Sequence, residues 1–336
     1  MLEISGSLSA EEIGSIESLE ALEPEWRSLW QRCPSATPFQ NPIWLIPWWR
    51  YFGSDKQLLT LLFRTRGDLV GVAPFCILHD HEGCKVMPVG IGVSDYLDAL
   101  FAPGYEQAGA EACINHLLHS TTHWDICELQ PLLAESPFLK TEVPGGMIAD
   151  VRQTDQLTSL KLPSEPRAFR SQLSSHFTKR LNKAYRQAHL LGSVRFETGM
   201  PFHKTFDQLL RFHEARWSNR SNTGALMRRA DAFHREAAQA MLHHGTLRLY
   251  GLNIGGQIVA VLYGFRHRRR GYFYLMGFDA AFSKISPGVL LMIYAIEELI
   301  REEAISCEFL RGHEPFKYRW GVSERNTYGL RIHHRT

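Results

Sequence analysis

The 336-residue sequence contains no Cys-x-x-Cys pair. Its six cysteines, Cys33, Cys76, Cys84, Cys113, Cys127 and Cys307, sit mostly within apolar runs. Neither a zinc ribbon nor a disulfide framework is indicated, and buried free thiols in a reducing compartment fit better. The opening stretch MLEISGSLSAEEIGSIE lacks both the basic and the apolar segment of a secretory signal. Apolar runs such as residues 288–296 fall well short of the ~20 residues that cross a bilayer. A cytoplasmic protein with no membrane span is therefore expected. Also missing are a G-x-S-x-G nucleophile elbow, a Walker phosphate loop and a Rossmann fingerprint. No metal is expected either. His79-Asp80-His81 is a candidate ligand run, but Gly83 follows and the segment joins two strands, as a solvent turn does.

What remains is ordinary globular material. Apolar residues make up 44% of the chain and charged residues 21%, enough for a large core without disulfide or metal staples. The length suits about two domains. The net charge of +2 hides a strong asymmetry. Residues 1–160 carry 9 Lys/Arg against 21 Asp/Glu, and residues 161–336 carry 28 against 14, giving −12 and +14. The second half is thus expected to meet an anion, such as a nucleotide-bearing cofactor, RNA or an acidic surface; two lobes attracting each other is the plainer reading.

The two halves share one plan. Residues 58–63 form an apolar run, Gly67-Asp68 marks a turn, and residues 69–78 form a second run. In the second half the corresponding parts are residues 246–252, Gly255-Gly256 and residues 257–265. Strand, glycine turn and strand is a hairpin pattern. A third strand follows each hairpin, at 85–89 and 272–278, then a helix, at 107–119 and 288–303, then another strand, at 125–129 and 307–310. The order repeats at an offset of roughly 180–190 residues, as a diverged duplication would. An α/β (α+β) fold is expected, with two tandem lobes, 1–162 and 163–336, each a mixed, mostly antiparallel sheet flanked by helices. Apolar residues at 169, 173, 177, 181, 185 and 188 predict a long amphipathic helix bridging them, with Lys179, Lys183 and Arg186 on another face.

The main site candidate lies in residues 271–300. Ser286 suits a helix N-cap and Pro287 its first position, followed by Gly288. The first-turn amides of Gly288, Val289 and Leu290 would be without intrahelical acceptors and could hold an anion, with Lys284 nearby. Ser-Pro-Gly is equally an ordinary helix start. After the strand at 307–310 comes a polar cluster of His313, Glu314, Lys317, Tyr318 and Arg319. Strand ends beside a helix start are favoured ligand positions. Glu308, His313 and Glu314 could each take a proton, and Lys317 could hold a carbonyl oxygen or a phosphate; each is also an ordinary surface or salt-bridged residue. In the first half, Ser94, Asp95, Tyr96 and Asp98 in a glycine-bounded loop could bind a cationic or hydroxylated substrate, or simply form a turn. The arginine-rich stretch 266–270 reads as a charged hairpin tip, and residues 41–49 as a Trp- and Pro-rich helix start.

These stretches resemble the BioF-like or CelD-like acetyltransferases of the GNAT fold, which are similar in turn to the FemAB/FemX aminoacyltransferases with their two GNAT-like lobes. The resemblance is carried by residues 212–217, 272–279, 286–291 and 308–320, with residues 69–75 and Ser94-Asp95-Tyr96 in the first lobe, and it spans about 22–331. It implies transfer of an acyl group from acetyl-CoA or another acyl-CoA to an amine. Lys284, Ser286, Pro287, Gly288 and Val289 would meet the CoA, and Lys317 would lie near the reacting carbonyl or a phosphate. Asp95, Tyr96, Trp217 and Tyr318 would face a small amine, an amino sugar or a glycan precursor of polysaccharide biosynthesis. This sequence has Phe316 and Glu308 where the family often has Tyr and Asp, and it lacks the Q/R-x-x-G-x-G/A loop of the broader fold.

The chemistry expected is direct attack by the amine, with no covalent enzyme intermediate. Glu308, His313, Glu314 and Asp95 are the candidate bases, a strand amide near Gly277 the oxyanion donor, and Tyr274 or Tyr318 the acid for the departing thiolate. The rival readings are a Fem-like transferase using aminoacyl-tRNA and a non-catalytic binding module of a polysaccharide-synthesis complex. DNA is not an expected partner.

Overall fold

The computed structural model describes residues 8–217 and 224–334. It divides into two compact units. The first runs to Asp155 and resumes at Asn326; the second is Gln156–Arg325. The expected division at 162/163 therefore falls inside the second unit, and the C-terminal strand belongs mainly to the first.

In chain order the first unit holds β1 (Ser9–Ile13), α1 (Ile16–Ala21), α2 (Glu23–Arg32), α3 (Pro42–Phe52), β2 (Lys56–Thr65), β3 (Asp68–Asp80), β4 (Gly83–Pro88), β5 (Leu100–Phe101), α4 (Glu106–His119) and β6 (Ile126–Leu133). β7 (Met147–Lys161) carries the chain into the second unit, where α5 (Pro166–Gln172), α6 (Ser175–Leu191), β8 (Val194–Thr198), α7 (Phe202–Trp217), α8 (Gly224–His243), β9 (Leu247–Ile254), β10 (Gln257–His267), β11 (Arg270–Phe278), α9 (Pro287–Arg301) and β12 (Ser306–Arg311) follow. β13 (Ser323–His334) returns to the first unit. Helices on a mixed, mostly antiparallel sheet, in the order expected, recur in both.

Hairpin chemistry fixes the registers. Thr65 pairs with Asp68, so the first turn is Arg66-Gly67 rather than Gly67-Asp68; both turn residues have positive φ, at 50° and 88°. Gly255-Gly256 turns the second hairpin in the same way, at 60° and 90°. Two positive-φ residues match the right-handed twist of the flanking strands. Arg268 and Arg269 make the charged tip between β10 and β11 with φ of 49° and 59°.

Each unit has one short parallel pairing. β4 meets β6 only through Lys85↔Ile126 and Val86↔Cys127, and β11 meets β12 only from Arg270↔Ser306 to Tyr272↔Glu308. The outer partners are exchanged along the chain. β6 pairs antiparallel with β13 (Leu129↔Leu330), whereas β7 pairs with β12 (Leu160↔Cys307).

The core of the second unit forms around α9. Pro287 opens this helix, and Leu290, Leu291, Ile293, Ile296, Leu299 and Ile300 are all buried. They pack with Leu252, Leu262 and Phe273 of the sheet and Phe169, Phe177 and Leu181 of α5 and α6. Removing one such leucine side chain costs about 2–5 kcal/mol. The single helix expected over 169–190 is two. Leu173 is extended (φ −71°, ψ 138°), and the Ser174 hydroxyl accepts the Phe177 amide at 3.2 Å. A serine that caps a new first turn ends the old one, although the apolar spacing runs on. Both helices lie in the second unit.

Candidate functional site

Three of the expected site residues, Tyr274, Glu308 and Lys317, belong to the parting strands β11 and β12 or to the turn after them. After Tyr272 and Glu308 their pairing stops, while β11 stays bonded to β10 through Phe278 and β12 to β7 through Arg311. Two irregularities shape the parting. On β11 the register slips between Tyr263 and Gly264, leaving Tyr274 as the extra residue of a bulge. On β12 it slips between Glu308 and Leu310, and Leu310 takes a φ of 62°. Bulges re-aim side chains, and a left-handed leucine costs on the order of 1–3 kcal/mol, which the surrounding bonds must offset.

Lys317 supplies those bonds. Buried in the 3-10 turn Lys317–Trp320, its Nζ donates to the carbonyls of Leu310 (3.3 Å), Arg311 (2.5 Å) and Gly312 (3.2 Å), and Glu314 Oε2 lies 3.0 Å away. An ammonium has three N–H donors. The lysine is therefore committed to closing the end of β12. Glu308 is buried too, its Oε1 accepting from the hydroxyls of Ser159 (3.0 Å) and Ser306 (2.9 Å).

Tyr274 faces the α7/α8 side of the sheet. Its ring centroid lies 5.3 Å from His234, 5.5 Å from Tyr263 and 5.6 Å from Phe265. Gly277, on the same strand, lets α7 approach: a Cβ there would lie 2.7 Å from Cβ of Phe212. His234 is buried, and burial pushes its imidazole down to about 3, so it is neutral at physiological pH. Sequence reading passed over His234, because nothing in its local pattern distinguishes it from any other histidine of a long helix.

The other face carries a pocket of about 280 Å³ between α6, the 3-10 turn Ala280–Ile285 and the start of α9. Its charged lining is Arg180, Lys183, Lys284 and Arg319, with Ser286 and Val289 at the helix start. Lys284, Ser286 and Val289 were expected here; Arg180 was not, and of the basic α6 face expected (Lys179, Lys183, Arg186) only Lys183 lines it. Among the described residues, no carboxylate lines it.

The helix start differs from expectation in detail. Ser286 occupies the N-cap position in a left-handed conformation (φ 51°, ψ 56°) and makes no side-chain cap bond. That turn folds its carbonyl under the helix, where it accepts the amides of Val289 (3.0 Å) and Leu290 (3.3 Å). Of the three amides expected to be open, two are thus occupied. Gly288 is buried against β11, where a Cβ would meet Met276 Cε at 3.0 Å and Phe278 Cδ1 at 3.5 Å. Its lack of a side chain serves packing, and Pro287 is buried beside it.

The remaining candidates are not among the residues that line this pocket. Tyr318 is exposed, its hydroxyl bonded to Glu324 (2.5 Å) with His313 Nδ1 at 3.5 Å. The bond to Glu324 raises the Tyr318 pKa above its ordinary value. Asp95 and Tyr96 are buried in the first unit, beside Ser94, whose hydroxyl accepts from Trp44 Nε1 at 2.9 Å. Asp98, in the same loop, has its carboxyl pushed up to about 7 by burial. Trp217 ends α7, and its side chain lies outside the described residues.

Residues 175–318 match the acetyltransferase (GNAT) domain family. The whole chain shares its fold with solved structures at low identity. FemX is 9% identical, with 96% of each chain covered and a TM-score of 0.66. L-PGS from Bacillus licheniformis is 11% identical, over 95% of this chain and 93% of that one, with a TM-score of 0.60. A conserved protein from Bacteroides thetaiotaomicron is 13% identical, over 97% and 100%, with a TM-score of 0.55. No curated protein matches the sequence. The second unit thus carries a stretch similar to the acetyltransferase (GNAT) domain. The chain as a whole shares the fold of FemX and of L-PGS. Among the described residues, no helix is long and apolar enough to cross a membrane.

Proposed function

We propose that the second unit transfers an acyl group, acetyl in the simplest case, from acyl-CoA to an amine acceptor. The observation that carries this reading is the pocket at the start of α9, lined among the described residues by four cations and no carboxylate. Such a lining suits the phosphates of CoA, with charge-assisted bonds from Arg180, Lys183, Lys284 and Arg319. The pantetheine arm would run from there into the parting of β11 and β12, where the unpaired strand edge offers amides to a carbonyl oxygen.

At the reacting carbon, the amine nitrogen forms a bond to the acyl carbon and the carbon–sulfur bond breaks. The ammonium proton leaves to a base before attack. Glu308, His313, Glu314 and Asp95 are the candidate bases; His234, which burial keeps neutral, lies edge-on to Tyr274. An amide of β11 near Gly277 would hold the oxyanion, and Tyr274 would return a proton to the thiolate. Lys317 acts as a positioning residue through β12. The acceptor is a small amine, with an amino sugar or glycan precursor among the candidates.

A second reading, transfer from aminoacyl-tRNA, is favoured by the fold shared with FemX and by the +14 charge of the second half. Calorimetric titration with CoA and acetyl-CoA separates the two. Saturable binding that disappears in a Lys284→Glu/Arg319→Glu double variant supports the thioester reading. A folded protein that ignores both ligands but binds tRNA in a salt-sensitive way supports the other.

A further inference from the structure

The first unit brings together four side chains that the acyl-transfer reading leaves unused. His79 and Cys84 are cross-strand partners at the β3–β4 hairpin, with Cys84 Sγ 3.1 Å from His79 Nδ1. Asp125, just before β6, accepts the Cys84 amide on Oδ2 at 2.7 Å. Its other oxygen, Oδ1, lies 3.3 Å from His123 Nε2.

The backbone holds this arrangement from both sides. The Asp125 amide donates to the Cys84 carbonyl at 2.8 Å, and the parallel pairing of Lys85 with Ile126 follows at once. Gly83 leaves room for the carboxylate: with φ at 115°, a Cβ there would lie 2.3 Å from Asp125 Oδ2. The nearest lysine does not compete. Lys85 points to the opposite face of the hairpin from Cys84, where Asp80 and Glu82 neutralise it.

The donor atoms of Cys84, His123 and Asp125 all lie within 4.8 Å of one another. A tetrahedral zinc with bonds of ~2.0–2.3 Å sets its ligand atoms ~3.5 Å apart, so the three, at 4.8 Å or less, must close by about 1.3 Å at most. His123 and Asp125 can do so, their side chains being 75% and 44% exposed. Two separate hydrogen-bonded pairs would account for each contact singly. They do not account for a thiol, an imidazole and a carboxylate with donor atoms all within 4.8 Å of one another, and a second imidazole 3.1 Å from the same thiol.

We propose that Cys84, His123 and Asp125 bind a zinc-like divalent transition-metal ion, with His79 as the fourth ligand. Mixed sulfur, nitrogen and oxygen donors select such an ion over magnesium or calcium. The bound ion ties the β3–β4 hairpin to the segment entering β6. This goes against the sequence-based expectation of a plain solvent turn at residues 79–81, which rested on local spacing and could not show that residues 123–125 fold against it.

The test uses the full chain, stripped with a chelator and titrated with Co²⁺. One equivalent is expected to raise a thiolate-to-cobalt charge-transfer band in the near ultraviolet, and Zn²⁺ to displace it. Cys84→Ser should abolish the band. His123→Ala and Asp125→Asn should each weaken binding by at least about tenfold, the smaller effect known for losing even an outer partner. Asp125→Asn keeps an oxygen for the Cys84 amide, and circular dichroism confirms that each variant folds. His79→Ala should weaken binding likewise; no change there would strike His79 from the set. No charge-transfer band in the wild-type chain, or a band indifferent to Cys84, His123 and Asp125, would overturn the proposal.

Discussion

Lys317 and Arg311 are joined by a 2.5 Å hydrogen bond from ammonium to carbonyl, on the far side of the left-handed Leu310. Lys317→Met should therefore leave three carbonyls short of a donor and release the end of β12. A loss of about 2 kcal/mol is expected in denaturant unfolding. Turnover should fall with KM for the donor little changed, since the lysine is absent from the pocket lining. A variant of unchanged stability would remove this role.

Charge reversal at the pocket should act differently. Lys284 and Arg319 are both exposed and line the pocket beside Ser286. Each change to Glu should weaken CoA binding by about tenfold or more, the scale of one charge-assisted bond. Thermal stability should stay within a degree or two of wild type, and the salt dependence of binding should become shallower. Calorimetry at two ionic strengths checks both.

The helix start offers a paired test. Gly288→Ala places its methyl 3.0 Å from Met276 Cε, the mobile end of a flexible side chain, at the second position of α9. It should be tolerated. Ser286→Val places a β-branched residue at φ 51° and should cost about 2 kcal/mol. If Gly288 met the phosphates directly, Gly288→Ala would instead reduce CoA affinity without touching stability.

His234 gives a pH signature. Its pKa is lowered by burial to about 3 from an ordinary 6.5, so below pH 6.5 the unfolded chain takes up a proton that the folded chain refuses. Stability due to this group is thus complete above pH 6.5 and is lost progressively as the pH falls toward 3. The slope is about 1.4 kcal/mol per pH unit for one proton. His267, lowered to about 3 by burial and then by Arg268 and Arg270, adds the same sign. His234→Phe should flatten the stability–pH curve between pH 4 and 6, measured by urea titration.

The strand–turn–strand pattern was legible because it is local: alternation, glycine pairs and apolar length mark β2, β3, β9 and β10 within a residue or three. The same holds for α9, which Pro287 announces. What escaped was set by distant contacts. Apolar spacing cannot show that Ser174 interrupts a helix, because the period continues through it. Ser286 was named as a cap, but its left-handed turn depends on the chain coming off β11. Lys317 was expected to hold a carbonyl oxygen or a phosphate, or to sit at the surface, and only the fold shows it buried with its donors directed at a strand end. Arg180 and Arg319 meet across more than a hundred residues, and no spacing rule joins them.

The exchange of outer strands has a consequence during synthesis. β6 waits for β13, which leaves the ribosome only after every residue of the second unit has been made. β12, by contrast, finds β7 already present when it emerges. The unit begun first is therefore finished last, and a nascent chain halted before Asn326 exposes the edge of β6 with Leu129 and Cys127 facing no partner strand from β13. Such an open edge is a template for pairing with another chain, so the nascent chain is most prone to aggregate between the emergence of β6 and that of β13.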